Sequence, residues 1–158
     1  MKCTSPARIR AYQARDFPEI HRIDQVCFPP DIAYSRAELL FYVRHPESIT
    51  RVAELDRAVV GFIVGRIESS GTAHVVTLDV LPGARRRGVG SALMAALHAE
   101  LETREVRLIF LEVDVANEAA RRFYEKFGYR VTALLKGYYK GRSHALRMVW
   151  TPEAAGRS

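Results

Sequence analysis

The passage from Thr72 to Thr103 constrains the fold more than any other part of the chain, because its periodicity changes in the middle. Thr72 to Val80 is an apolar, β-branched run that reads as a strand from the middle of a sheet. Pro82 ends it, since proline has no backbone donor to give a ladder. From Gly88 to about Thr103 the period becomes helical, with Leu93, Leu97 and Leu101 on one face. A further apolar strand runs from Val106 to Val115. The link between strand and helix, Leu81 to Gly88, carries one proline, two glycines and three arginines.

The remaining segments fit around this unit. Arg8 to Gln13 is short and extended. Asp16 and Glu19 have the spacing of a capping box that opens a helix with Ile20, Ile23, Val26 and Cys27 at helical positions. Pro29-Pro30 requires that helix to stop by Phe28. Ser35 and Glu38 form a second capping box, opening a helix to about His45. Ser48 to Leu55 and Ala58 to Ile67 read as a hairpin turning at Asp56-Arg57. Ala119 to Phe127 is a helix with Gly128 as C-cap, and strands over Tyr129 to Tyr138 and His144 to Trp150 follow. The pattern predicts an α/β (α+β mixed) fold, with a central mixed sheet of about seven strands and about four helices. The 158 residues suit one domain, with a small polar tail, read as loose, after residue 151.

The link from Leu81 to Gly88 carries chemistry as well. A helix start exposes unpaired amides and the positive end of the helix dipole, so it attracts anions. Glycines at 88 and 90 let backbone approach a bulky phosphate, and Arg85, Arg86 and Arg87 add charge-assisted bonds. A polyphosphate ligand fits this chemistry; a glycine turn carrying solvated arginines is the plain alternative. The run is neither the G-x-G-x-x-G dinucleotide fingerprint nor a P-loop ending in Gly-Lys-Ser/Thr. A net charge of +6 favours anionic partners, and equally describes a basic, solvated surface. No zinc-finger spacing or aromatic RNA-binding motif accompanies it, so nucleic acid is not expected as a direct partner. No metal-spaced cluster is present, and no metal is expected. Cys3 and Cys27 read as reduced thiols of a cytoplasmic protein, and neither an apolar signal segment nor a membrane span is found.

In Val-x-Pro-x-x-Arg-x-Arg-Gly-x-Gly, met by Val80, Pro82, Arg85, Arg87, Gly88 and Gly90, the loop resembles the acetyl-CoA signature of GNAT acetyltransferases. Leu111-Glu112-Val113, then Asn117, Ala119, Tyr124 and Gly128-Tyr129, resembles that superfamily's second motif, in the form seen in bacterial ribosomal-protein alanine N-acetyltransferases (RimI-like enzymes). Tyr138-Tyr139 with Gly141 and Ala145 to Met148 is similar to that group's terminal hairpin. Over residues 75–148 the resemblance implies a GNAT fold and acetyl-CoA as cosubstrate. It implies cofactor contacts from Leu78, Asp79, Val80, Arg85, Arg86, Arg87, Gly88, Val89, Gly90, Ser91 and Asn117. It also implies Glu112 as general base, Tyr124 as general acid, and an acceptor slot involving Phe28, Tyr138 and Tyr139.

The residues themselves leave alternatives beside each role. Alternation places Leu108, Phe110, Glu112 and Asp114 on one sheet face and Ile109, Leu111, Val113 and Val115 on the other, core-facing one. A partly desolvated Glu112 has a raised pKa, useful to a base; it can also simply bind a nearby arginine or backbone donor. Asp79 is a second candidate base, Tyr124 is equally a core residue, Asn117 an N-cap, and Tyr138 and Tyr139 can merely pack the hairpin. His144 stands where the RimI-like group carries an acidic residue and reads as a hairpin residue. An α-amine with a pKa of ~8 is roughly 10% neutral at pH 7, whereas a lysine near ~10.4 is far below 1%. A modest carboxylate base therefore suits the N-terminal amine of a protein, a ribosomal protein among them. The competing functions are acetylation of a small amine (polyamine, amino acid or aminoglycoside) and a non-catalytic acetyl-CoA-binding regulator.

Overall fold

The computed structural model describes residues 6–139 and 143–155; Cys3, Gly141 and Arg142 lie outside them. The strands are β1 (Arg8–Ala11), β2 (Ser48–Leu55), β3 (Ala58–Ser69), β4 (Thr72–Val80), β5 (Leu108–Asp114), β6 (Arg130–Tyr139) and β7 (Ser143–Trp150). The helices are α1 (Phe17–Cys27), α2 (Arg36–Arg44), α3 (Val89–Thr103), α4 (Glu118–Phe127) and a short turn, α5 (Pro152–Ala155). The seven strands form one sheet in the order β1-β2-β3-β4-β5-β7-β6. Neighbours pair antiparallel except β4 with β5, which are parallel and joined through α3.

Two hydrophobic layers sandwich the sheet. Phe17, Ile20 and Ile23 of α1 and Leu39 of α2 pack on Val52, Phe62, Val64 and Val76. On the opposite face, Leu93, Met94, Leu97 and Leu101 of α3 meet Ile63, Val75, Ile109 and Leu111, with Phe123 and Tyr124 of α4 against them. Adjacent strand residues thus serve opposite layers, as a pleated strand requires. At Gly65 an added Cβ would lie 2.7 Å from a methyl of Leu97, so α3 sits hard on β3.

Local signals account for most boundaries. Ser35 and Glu38 make both halves of the expected capping box. Asp56 and Arg57 take φ of 50° and 68°, the left-handed pair of a two-residue hairpin turn. The start of α1 differs from expectation. Asp16 accepts the Gln13 amide and the Arg10 guanidinium, and Glu19 pairs with Arg22 instead of closing a box. Arg10 reaches Asp16 from β1 and offers a charge-assisted bond that outcompetes a helix amide. Val115 lies past the end of β5 and is 41% exposed, so the core face ends at Val113. Residues 152–155, expected to be loose, form a helical turn in which Glu153 bonds Arg107 and Ala155 lies against Gly128.

Two irregularities of β4 set the geometry around it. Val64 of β3 pairs with Thr77 and Gly65 with Val75, leaving Val76 as the extra residue of a bulge. The bulge puts Val76 and Thr77 together on the α1–α2 side and sends Asp79 to that side as well, opposite Phe62. Moreover, the β4–β5 register covers only Thr72–His74 against Leu108–Phe110, although the strands run on to Val80 and Asp114. Beyond His74 and Phe110 the two strands part, and their facing edges border an opening in the sheet.

Candidate active site

Glu112 stands at this opening on the α1–α2 face, its side chain only 5% exposed. Its partners arrive from three other strands. His74 of β4 sets Nε2 at 2.8 Å from Oε1, the Tyr138 hydroxyl of β6 donates to Oε1 at 2.9 Å, and Arg147 of β7 places Nε 3.6 Å from Oε2. The His74 ring is stacked on Phe110, with centroids 4.6 Å apart and planes 8° from parallel, and Arg147 covers Phe110 at 5.4 Å. His74 Nδ1 faces Glu68 at 3.5 Å, and Glu68 is held by Arg66.

These partners reverse the expected state of Glu112. Burial pushes its carboxyl upward, but the His74 hydrogen bond and charge, the Tyr138 hydroxyl and Arg147 together outweigh it. The net position is below the ordinary glutamate range, so Glu112 is ionised at neutral pH. The expectation of a raised value counted burial alone. The alternative, a nearby arginine, is met by Arg147, and the sheet order adds His74 and Tyr138.

Tyr124 lies on the other face, in the layer formed with α3, its ring edge-on to Phe123 and Tyr129. Burial first, and then the nearby charge of Asp79, raise its phenol far above the usual tyrosine value. It therefore keeps its proton at neutral pH and can act as a donor. Glu112 and Tyr124 thus belong to opposite faces of the sheet.

The residues expected to form the phosphate loop lie around the start of α3. Ala92 makes the first bond within α3, to Gly88 carbonyl, so the amides of Val89, Gly90 and Ser91 have no partner inside the helix. Gly88 is the N-cap with φ 76°, and a Cβ placed on it would meet nothing within 4 Å. Glycine is needed there for its left-handed backbone, beside open space. A Cβ on Gly90 would lie 3.5 Å from Phe123, on the side of α4. Arg85, Arg86 and Arg87 are exposed, and Arg85 Nε caps the Val80 carbonyl at 3.0 Å. Leu78 and Val80 point to the α3 layer, while Asp79 is buried and bonded to Thr77. Asn117 caps α4, accepting the Ala120 amide at 3.1 Å. A coenzyme with a diphosphate and an extended arm fits this geometry, with free amides and arginines at one end and unpaired strand edges at the other.

On the acceptor side, Tyr138 and Tyr139 are edge-on at 5.0 Å, and Tyr138 reaches Glu112 directly. Phe28 caps α1, half-buried, next to Cys27, whose Sγ lies 3.3 Å from the Val80 carbonyl. Burial pushes that thiol up to about 11, which leaves it inert. His144 is a hairpin residue, accepting the Gly137 amide at 2.8 Å. His74 carries no sequence motif, and Arg147 stands in the terminal-hairpin run without a role assigned to it; alternation, on the face shared with Glu112 once β4, β5 and β7 are aligned, could have pointed to both. Among the described residues no cluster of His, Cys, Asp or Glu is placed to hold a metal ion, and no helix is long and apolar enough to cross a membrane.

A sheet opened between parallel β4 and β5, with an anion-binding helix start beside it, is the architecture of an acyl-CoA-dependent transferase. Residues 17–129 match the family model described as the acetyltransferase (GNAT) family, and the chain belongs to that family of acetyl-CoA-dependent N-acetyltransferases. It is 33% identical over 156 aligned residues to an N-alpha-acetyltransferase of Sulfurisphaera tokodaii, covering 89% of this chain and 90% of that protein. The crystal structure of Ard1 from Thermoplasma volcanium is similar at a TM-score of 0.85 and 34% identity, over 93% of this chain and 98% of that one. The ribosomal-protein alanine N-acetyltransferase of Escherichia coli shares the fold, with a TM-score of 0.83 at 24% identity over 92% of this chain and 93% of that one.

Proposed function

We propose that this enzyme transfers the acetyl group of acetyl-CoA to the N-terminal α-amine of a protein, with Glu112 as base and Tyr124 as acid. The observation that carries this reading is the ionised Glu112 at the β4–β5 opening, held by His74 and Tyr138. A carboxylate of low proton affinity is a weak base. It is matched to an amine that is partly neutral already, as an α-amine with a pKa of ~8 is, and poorly matched to lysine near ~10.4. The names of the similar N-alpha-acetyltransferase and Ard1 proteins support the same acceptor class.

In this mechanism the diphosphate rests on the amides of 88–91 and the arginines, and the thioester supplies the electrophilic carbonyl carbon. Glu112 takes one proton from the acceptor ammonium. The freed lone pair forms the C–N bond, the C–S bond breaks, and Tyr124 gives its proton to the departing sulfur. The second proton shed by the nitrogen restores Tyr124, and Glu112 returns its proton to solvent. Phe28, Tyr138 and Tyr139 line the acceptor's approach from the α1–α2 face.

The test is a panel of acetyl-CoA acceptors read by free-thiol release and mass shift: peptides with free N-termini, N-terminally blocked peptides carrying lysine, polyamines and an aminoglycoside. Acetylation of free N-termini at the α-amine is expected. A panel in which small amines or lysine side chains react and free N-termini do not would overturn the acceptor assignment.

A further inference from the structure

Two acidic side chains that the mechanism does not use meet between α1 and the second half of β4. Asp24 and Asp79 are 0% and 1% exposed. Asp24 Oδ2 accepts the Tyr34 backbone amide at 2.7 Å, and Asp79 Oδ1 accepts the Thr77 hydroxyl. Each carboxyl is near enough to shift the other's proton affinity, and the other oxygen of each, Asp24 Oδ1 and Asp79 Oδ2, is buried with no hydrogen-bond partner. Two adjacent carboxylates out of reach of water cannot both be charged, and one proton held between the orphaned oxygens satisfies both.

We propose that Asp24 and Asp79 share a single proton and act as positioning residues, a latch that holds the Phe28–Ser35 segment against β4. Two other ties to β4 in this region are neutral. Tyr34, held by Asp24 at its amide, donates its hydroxyl to the carbonyl of the bulge residue Val76 at 3.2 Å, and Cys27 meets Val80. The acid pair is therefore the part of this contact that pH can release. Charged and titratable groups reach it from every side: His21 and Tyr34 near Asp24, Glu38 from α2, Cys27 from α1, Arg85 from the phosphate loop and Tyr124 from α4. Burial raises both carboxyls, and Asp24 raises Asp79 further; Asp79, the Tyr34 amide and His21 pull Asp24 down, Thr77 and Arg85 pull Asp79 down, and both carboxyls still lie above the ordinary range.

That direction fixes the sign of the pH dependence. A group raised in the folded state contributes stability that is complete below the unfolded aspartate value of about 3.9 and is lost as pH rises through the folded value. Thermal midpoints of the wild type, Asp24→Asn and Asp79→Asn between pH 4 and 9 test it, because an amide bridges the pair without titrating. The wild type is expected to lose midpoint relative to both variants as pH rises. In wild type, carbon-13 NMR is expected to show two aspartate carboxyls titrating jointly above the ordinary range. A kinetic arm rests on the acceptor-side reading above: the acceptor KM of wild type relative to Asp24→Asn should rise about tenfold with pH while the acetyl-CoA KM ratio stays flat. Parallel midpoint curves for wild type and variants, or two aspartates that titrate independently near the ordinary value, would overturn the shared proton. A flat acceptor KM ratio with the thermal and NMR results intact would overturn the latch's role in acceptor positioning, leaving the proton sharing in place.

Discussion

Glu112 is surrounded by hydrogen-bond and ion-pair partners, and its charge is what the proposed chemistry needs. Replacing it with glutamine keeps the bond from Tyr138 and removes the base. Replacing Tyr124 with phenylalanine keeps the ring packed against Phe123 and Tyr129 and removes the acid. Each change is expected to lower kcat by roughly 10²-fold, the lower end for one acid–base group, with the acetyl-CoA KM little changed. Steady-state kinetics with both substrates varied checks this, and unchanged kcat in both variants would remove the assigned roles. Because Glu112 lies below the ordinary carboxylate range, its loss of function on acidification belongs below about pH 4, the usual glutamate value. Any acid limb nearer neutrality then reports protonation of the acceptor. At this scale the sequence was informative about Glu112, since alternation set it with Asp114 on one face of β5 and the resemblance singled it out. It was silent about His74, Arg147 and Asp24, whose significance depends on neighbours 38, 35 and 55 positions away.

Elements were legible wherever the determinant is local: the Ser35–Glu38 box, the proline stop after α1, the Gly128 C-cap. The bulge at Val76 and the early end of β4–β5 pairing were not, because both arise from register against other strands. These two features make the site, one by turning Thr77 and Asp79 toward α1, the other by leaving strand edges free. The end of α4 offers a test of how its helix is fixed. Gly128 has φ 111°, and a Cβ there would lie 2.9 Å from Ala155 Cβ and 3.2 Å from Trp150. Gly128→Ala therefore combines left-handed strain with a clash and is expected to cost about 1–3 kcal/mol. For a domain of this size that lowers the thermal midpoint by roughly 3–10 °C, measurable by calorimetry. An unchanged midpoint would mean that α5 moves aside freely.

Across the whole molecule, two hydrophobic layers hold the sheet from both faces, α1 and α2 on one side and α3 and α4 on the other. Glu112 and Tyr124 stand on opposite faces of the sheet, and the first turn of α3 lies at the end of β4 that points away from the β4–β5 pairing. The net charge of +6 suits an anionic cosubstrate, and the arginines at 85–87 concentrate part of it at that turn. The proposed chemistry requires that coenzyme A be gripped by the amides of 88–91 and thread its thioester into the opening between Glu112 and Tyr124. A crystal structure with bound acetyl-CoA tests this directly. Diphosphate oxygens are expected at about 3 Å from those amides, with the thioester carbonyl between the parted strands. A coenzyme seated elsewhere on the molecule, with the turn at Gly88 left untouched, would contradict it.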